Sequence, residues 1–511
     1  MSVSRRAGQP RSAGTNWIKW GLGCAGISML LVTGILMLGV IVGPAVFRNL
    51  SPADQDRLVR RLPFLSGLLP TNPAVVISPP VLPIPTGDAL ALLDTETPTA
   101  PAVLIPTPTP ETPAAAAPPL MQNASPPPTL LPTVRIPSTT PTPVPTNAAA
   151  TIIAAALPPP TRAPAGADRA DTPPSATPSL PPIPARARLG PALTWEPQRW
   201  NNCGPANLVQ AMRYFGWRAP QVEVAASLKP TQDDKNVSPW EMVRYVNTQT
   251  SLRALTRYAG DLDLVRRLVA ADFPVMLETG FYDPDEPEEG WIGHYQTIIG
   301  YDDASTRLAV MDTLKQETSV PYAAMDELWS HFNRQYLLVY RPEREAEIAA
   351  LLGPHMDEAY NFRYALDMAR EAARQQPGSF FAWFNLGSSY TLLAQYAEAA
   401  EAYDQALRVA GADLPYRMLW YQFGPYEAYY HTGRFDQALE LIEYTIRTSR
   451  GHVEEMFYWR GMVAAARGNV AAALADFDRA LAYNQYFTPA AVARAQVQQG
   501  SFQPPRAASG G

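Results

Sequence analysis

The stretch "QRWNNCGPANLVQAM", residues 198–212, decides how this chain is read. A cysteine stands between two asparagines and a Gly-Pro step, and Leu208, Met212 and Phe215 follow at intervals of three or four. That spacing predicts an amphipathic helix with Pro205 in its first turn, where a missing N–H costs nothing. Cys203 then falls at the helix start, behind the capping-type residues Asn201 and Asn202. Unpaired N–H groups and the helix dipole favour an anion there, which lowers a thiol pKa. Gly204 permits close approach of a substrate backbone. Gln198 can place an amide donor beside the sulfur, and a donor aimed at an oxyanion is worth about 3–4 kcal/mol in acyl transfer. A free cysteine otherwise packs as a small hydrophobe, so a nucleophilic role for Cys203 depends on finding a base.

Of the five histidines, only His294 and His331 fall in the aromatic-rich block 188–343. His294 opens the apolar strand "GHYQTIIGYDD", and "RLAVMDT" follows the turn "DDAST". A hairpin turning near Asp302–Ser305 sets His294 almost opposite Asp312 and Thr313. Asp312 can then orient the imidazole, the third role in a Cys-His-Asp arrangement. Asp302 would lie about 26 Å along the strand at about 3.3 Å per residue, too far to serve.

Around these residues the block reads as helices followed by strands. "SPWEMVRYV" carries Ser238 and Glu241 at capping-box spacing, and "DLDLVRRLVAA" is a further helix. "FPVMLETGF", "HYQTIIGY", "RLAVMDT" and "QYLLVYR" read as strands, an α+β order. Together, "QRWNNCGPANLVQAM", "GHYQTIIGYDD" and "AVMDT" resemble the papain-like cysteine peptidases that process bacteriocin double-glycine leaders (peptidase family C thirty-nine), in their stand-alone form. The resemblance covers about 155 residues. It implies a papain-like α+β fold with Cys203 as nucleophile, His294 as base, Asp312 as orienter and Gln198 in the oxyanion hole. Thr313 stands where that family often has proline. Nothing resembles the transporter that carries bacteriocin-processing peptidases, which sets leader processing itself apart from the thiol chemistry. Trp195, Trp200 and Trp291 flank the motifs and either shape a cleft or pack. The acidic "FYDPDEPEEGW" lacks the ordered oxygen spacing of a calcium loop. It reads as a solvated loop near His294 that would disfavour acidic substrates. "LKPTQDDKNVSPW" is assigned no chemistry, and no metal or cofactor is expected.

From about 355 to 495 the chain is helical and repetitive. "AWFNLGSSYTLLAQYAEAAEAYDQAL" places Trp383, Leu386, Gly387, Tyr390, Ala399, Tyr403 and Ala406 at a spacing that resembles the tetratricopeptide repeat. "YYHTGRFDQALELIEYTI" and "AAARGNVAAALADFDRAL" repeat its second half. The alanines Ala399, Ala438 and Ala473 are 39 and 35 residues apart. Three such units share one core, with a weaker helix pair at 356–376, and imply a protein partner or substrate for the array.

The rest of the chain is of another kind. It has 54 prolines in 511 residues and a net charge of −6, so nothing electrostatic points to nucleic acid. Residues 1–19 form a short basic tail. An uncharged run from 20 to 47 exceeds the ~20 residues that cross a bilayer, so a single transmembrane helix is expected, with a juxtamembrane segment at 48–70. Arg5, Arg6, Arg11 and Lys19 precede the span, and Arg48, Arg57, Arg60 and Arg61 follow it, which leaves the positive-inside rule tied. Residues 71–187 are rich in Pro, Thr and Ala and cannot bury enough apolar surface to fold. Stalks of this kind hold a domain off a cell surface, so the C-terminal domains are expected outside the membrane. Residues 496–511 read as a disordered tail. The expected protein is a membrane-anchored cysteine peptidase with a repeat domain that recruits partners or substrates. An inactive extracytoplasmic scaffold and a thiol acyltransferase are the alternatives.

Overall fold

The computed structural model describes residues 89–94, 182–191, 193–282 and 290–505. The expected span at 20–47 with its flanks, the acidic segment 283–289 and nearly all of the Pro-rich stretch lie outside the described residues. Among the described residues, no helix is long and apolar enough to cross a membrane.

Helix α1 (Cys203–Tyr214) is the axis of the α+β domain, with residues 204–212 all buried. A helix buried all round must be enclosed by other elements. Strand β4 (Trp291–Asp302) packs against it, and so do helices α2 (Gln221–Leu228) and α3 (Pro239–Gln249). The capping box of α3 forms as its sequence dictates, with the Ser238 N–H donating to the Glu241 carboxylate at 3.0 Å. Helix α4 (Leu262–Ala270) covers other parts of β4, so that strand is buried almost continuously instead of alternating.

The sheet has seven strands, all antiparallel where paired, in the order β2-β7-β3-β4-β5-β6. These are β2 (Arg253–Arg257), β3 (Val275–Tyr282), β5 (Arg307–Asp312), β6 (Gln316–Pro321) and β7 (Tyr336–Tyr340), besides β4. The short β1 (Arg186–Arg188) pairs with β4 beyond the end of β3. Edge strand β6 is exposed, charged and ends in proline, features that discourage edge-to-edge association. Helix α5 (Tyr322–Ser330) returns the chain to the central strand β7. β2, β6, α2 and α5 do not stand out in the sequence pattern; the longer elements do.

After α6 (Glu345–Leu352) and α7 (Glu358–Gln375) come three helix pairs. They are α8 (Phe380–Leu392) with α9 (Tyr396–Ala410), α11 (Gly424–His431) with α12 (Phe435–Ser449), and α13 (Glu454–Ala466) with α14 (Val470–Tyr483). Glycine sets the close approach in two of them. A β-carbon on Gly387 would lie 2.7 Å from the Tyr403 ring, and one on Gly461 would lie 2.7 Å from Phe477. The 39-residue spacing between Ala399 and Ala438 has a structural cause: residues 411–423 insert a 3-10 turn and the short helix α10 (Met418–Tyr421) between the first two pairs. Helix α15 (Thr488–Gln498) closes the array, and Phe502 packs against it, within the segment that reads as a tail. Residues 91–94 form one helical turn whose Leu92 and Leu93 are buried against the repeats, with the Tyr390 hydroxyl donating to the Leu92 carbonyl at 3.2 Å. That short piece of the Pro-rich stretch is therefore ordered, because it carries two leucines and no proline.

The repeats do not hang from the α+β domain as a separate module. Asn333 donates to Ser389 at 2.9 Å, Asn385 to the Ser330 carbonyl at 2.7 Å, and Asn484 to the Leu228 carbonyl at 3.0 Å. Trp291 and Phe332 of the α+β domain stack at 5.8 Å between ring centres inside the core of the array.

Candidate active site

Cys203 is the first residue of α1 and is partly exposed. Asn202 precedes the helix without a side-chain cap; its amide donates to Gln221 at 3.3 Å instead. The first-turn N–H groups therefore keep no side-chain acceptor of the expected kind, and the helix start stays open beside the sulfur. A methyl added at Gly204 would meet Met242 and Tyr295 at 3.5 Å, ordinary contact. Gly204 lines the same cleft as Cys203 and His294.

His294 lies on β4 and is buried. Its Nε2 is 3.0 Å from Asp312 Oδ2, at the end of β5. The imidazole and the Cys203 thiol line the same cleft and are electrostatically coupled. Nε2 is engaged by Asp312, which leaves Nδ1 as the ring nitrogen not held by the carboxylate.

The register that brings these residues together differs from the expected one. Asp302 pairs with Arg307, a bulge follows between Ile298 and Gly300, and Thr297 then pairs with Met311. Continuing that register puts Gln296, not His294, opposite Asp312. His294 reaches the carboxylate from two residues along the same face. Gln296 donates to Asp312 Oδ2 at 2.7 Å, while the Leu314 and Lys315 backbone N–H groups donate to Oδ1 at 2.7 and 3.0 Å. The carboxylate is thus held from four sides.

Gln198 lines the same cleft. Its backbone N–H donates to the Thr313 carbonyl at 3.0 Å, and the Thr313 hydroxyl donates to Gln198 Oε1 at 2.6 Å. The Gln198 amide oxygen is thus occupied, and its nitrogen carries the remaining donors. Thr313, a departure from the pattern the sequence resembles, is what orients that amide.

The electrostatics follow from burial and pairing. Burial alone would raise the Cys203 thiol, but the hydrogen bond and charge of His294 outweigh it and hold the thiol below its ordinary value. Burial would lower His294, yet Asp312 and the thiolate push it up to about 10. Asp312 is held far below the carboxylate range by His294, against the opposing effect of burial. The three groups thus favour a thiolate–imidazolium pair backed by a carboxylate.

Several residues of the site escaped sequence reading. Lys229 is buried, donates to the carbonyls of Asn201, Gln232 and Asp234 at 3.0, 3.3 and 2.7 Å, and adds positive potential at Cys203. Glu278 on β3 lines the cleft, buried and raised well above the carboxylate range by desolvation and then by the Cys203 charge. An acidic residue inside the apolar run "PVMLETGF" was the available signal for Glu278; Lys229 left none. Of the flanking tryptophans, Trp195 donates to the Asp312 carbonyl at 2.9 Å, Trp200 lines the cleft, and Trp291 donates to His331 Nδ1 at 3.1 Å. His331 is thereby accounted for as a packed residue, its pKa lowered by burial to about 4. Among the described residues, no group of His, Cys, Asp and Glu is placed to hold a metal ion.

Comparison with known proteins agrees with this division of the chain. Residues 191–342 match the model of the Peptidase_C39 like family. Residues 380–413 and 427–486 match tetratricopeptide repeat models. Among solved structures, a C39-like peptidase from Bacillus anthracis is similar at 16% identity and TM-score 0.26, over 30% of this chain and 98% of its own. A double glycine motif protease from an AMS/PCAT transporter, solved with the leader peptide, is similar at 14% identity and TM-score 0.23, over 30% of this chain and 94% of its own. No curated protein matches.

Proposed function

We propose that this chain is a cysteine peptidase in which Cys203 is the nucleophile, His294 the proton carrier, Asp312 the residue that holds the imidazole, and Gln198 an oxyanion donor. The observation that carries this reading is the 3.0 Å contact between His294 and Asp312 behind a thiol at a helix start. The thiolate attacks the scissile carbonyl, and the Cys203 backbone N–H with the Gln198 amide receives the negative oxygen. The imidazolium gives its proton to the departing amine as the C–N bond breaks. Neutral imidazole then takes a proton from water, whose oxygen displaces the sulfur from the acyl group, releasing the acid and restoring the thiolate. The repeats recruit the protein or peptide to be cut.

We also propose that residues 20–47 anchor the protein in the cell membrane as a single span, with residues 71–187 as the spacer and the C-terminal domains outside. An uncharged run longer than a bilayer needs supports this.

Three experiments test these readings. A peptidyl electrophile should label Cys203 in the native protein and fail on Cys203→Ala. Turnover of a peptide library should be lost equally in Cys203→Ala and His294→Ala. Failure of Cys203 to react faster than a free thiol at pH 7 would remove the enzymatic reading. Added external protease should release the C-terminal domains from intact cells; protection would reverse the topology.

A further inference from the structure

The cleft beside Cys203 has a volume of about 630 Å³, and the segment inserted between the first two helix pairs lines one side of it with Tyr416, Trp420 and Tyr421. A cleft of this size admits a short peptide segment. One group in its wall has no part in the thiol chemistry. Glu278 lies on β3 with only 4% of its surface exposed, at the register position opposite Tyr295, the residue that follows His294. Its Oε2 is buried and has no hydrogen-bond partner. Tyr295 commits its hydroxyl proton to the Val237 carbonyl at 3.1 Å. A buried carboxyl without a paired cation keeps its proton; desolvation and the Cys203 charge drive Glu278 that way, against Tyr295. Polar atoms buried without a partner are uncommon in folded chains. The preceding residues of the strand, Val275, Met276 and Leu277, are buried and apolar. An unpartnered acid among them, in the wall of a cleft, is placed to meet a group that arrives with the substrate.

We propose that Glu278 is a specificity-determining residue that contacts the substrate, and that it selects peptides with a carboxamide side chain, Asn or Gln, beside the scissile bond. This rests on the peptidase reading and assigns the substrate class of the same site. A neutral carboxyl presents one acceptor oxygen and one O–H donor in a single plane. A carboxamide presents the complementary N–H and C=O, so the two close a pair of hydrogen bonds. An ammonium or guanidinium offers donors alone and would have to displace the proton of a buried acid, close to the positive potential of His294 and Lys229. A carboxylate side chain would be repelled by the thiolate, and an apolar one leaves Oε2 unpaired. The selection comes from this one buried group and not from the rim. There Arg450 and Asp233 both line the cleft, and the acidic run 283–289 joins Gly290 in the sequence.

The test uses the full chain and peptide chloromethyl ketones that differ in one side chain, Gln, Met, Lys or Glu, placed first or second from the ketone. In each the Cys203 sulfur forms a bond to carbon as chloride leaves. Chloroacetone, the same electrophile without a peptide, measures the reactivity of the thiol alone. In at least one of the two series the Gln probe should be the fastest of the four. It should lead the Met probe, which has a similar shape, by about tenfold, the scale of a buried hydrogen bond made or left unmade. Glu278→Leu and Glu278→Met should abolish that lead. Glu278→Gln, whose amide also carries a donor and an acceptor, should keep most of it. Because the readout is a ratio on one preparation, partial unfolding lowers all rates without imitating the result. A Gln probe that leads in neither series, or a lead that survives Glu278→Leu or Glu278→Met, overturns the proposal. If chloroacetone reacts no faster with the protein than with a free thiol, the peptidase reading falls and the selection with it; rapid reaction with chloroacetone but equal peptide rates defeats the selection alone.

Discussion

The Tyr421 ring of the repeats lies so close to Gly293 that a β-carbon on that glycine would sit 2.8 Å from it. Arg417 donates to the neighbouring Trp291 carbonyl at 3.2 Å. Gly293 immediately precedes His294, so the repeat insertion grips the strand that carries the imidazole.

Gly293→Ala should therefore force the ring or the strand aside, at a cost of about 1–3 kcal/mol typical of overpacking. Thermal denaturation should register the loss. Peptide turnover should fall further than stability does, because the imidazole moves with the strand. Tyr421→Phe keeps the ring and should be mild, whereas Tyr421→Ala should lower turnover without touching any reacting group.

The paired thiol and imidazole predict an unusual pH dependence. With the thiol held below and the imidazole above their ordinary values, the pH range in which thiolate and imidazolium coexist is widened. Chloroacetamide labelling of Cys203 should rise less steeply from pH 7 to about 8 than that of a free thiol, which gains close to tenfold per unit. It should drop only as acid protonates the thiolate. In His294→Gln the profile should regain the slope of a free thiol, and a steep slope in the wild type would contradict the pairing.

Asp312→Asn keeps the shape of the side chain and removes its charge. Turnover should fall by roughly 10³–10⁴-fold, the scale for losing the orienter of a catalytic imidazole. Thr313→Val should have a smaller effect, confined to acyl transfer, because it releases the Gln198 amide. Comparing peptide turnover with Cys203 alkylation in that variant separates oxyanion support from thiol activation.

Stability should decline as pH rises from mildly acidic values. Desolvation raises Glu241 from 4.5 to about 8 and also raises Asp234, Glu454 and Glu455, which are buried where the α+β domain meets the third helix pair. A raised acid keeps its proton in the folded state and releases it on unfolding, so its stabilising effect is complete below its unfolded value and is lost on the way up. His294, raised to about 10, acts in the same direction above 6.5. Asp312 acts oppositely, below 3.8. His331, His355, His431 and His452, lowered by burial, act oppositely below 6.5, so the melting temperature should fall from about pH 6.5 towards pH 8, and Glu455→Gln should flatten that fall.

What could be read beforehand was governed by local chemistry. The helix at Cys203, the capping box at Ser238 and the strand carrying His294 declare themselves through short-range spacing. The approach of His294 to Asp312 was legible because a hairpin is a nearly local object, although the bulge at Ile298–Gly300 shifted its register and brought in Gln296. Lys229 was not legible, since three carbonyls from a folded loop decide its burial. The repeat wall left one trace, the 39-residue step between Ala399 and Ala438, whose meaning depends on which residues it is folded against.

Trp291 and Phe332 carry a last consequence. Both belong to the α+β domain, yet their rings are buried among the helices that follow it. A fragment cut after residue 343 would expose a sticky aromatic face and collapse into aggregates. Each half thus covers apolar surface of the other, and separating them would lay that surface bare.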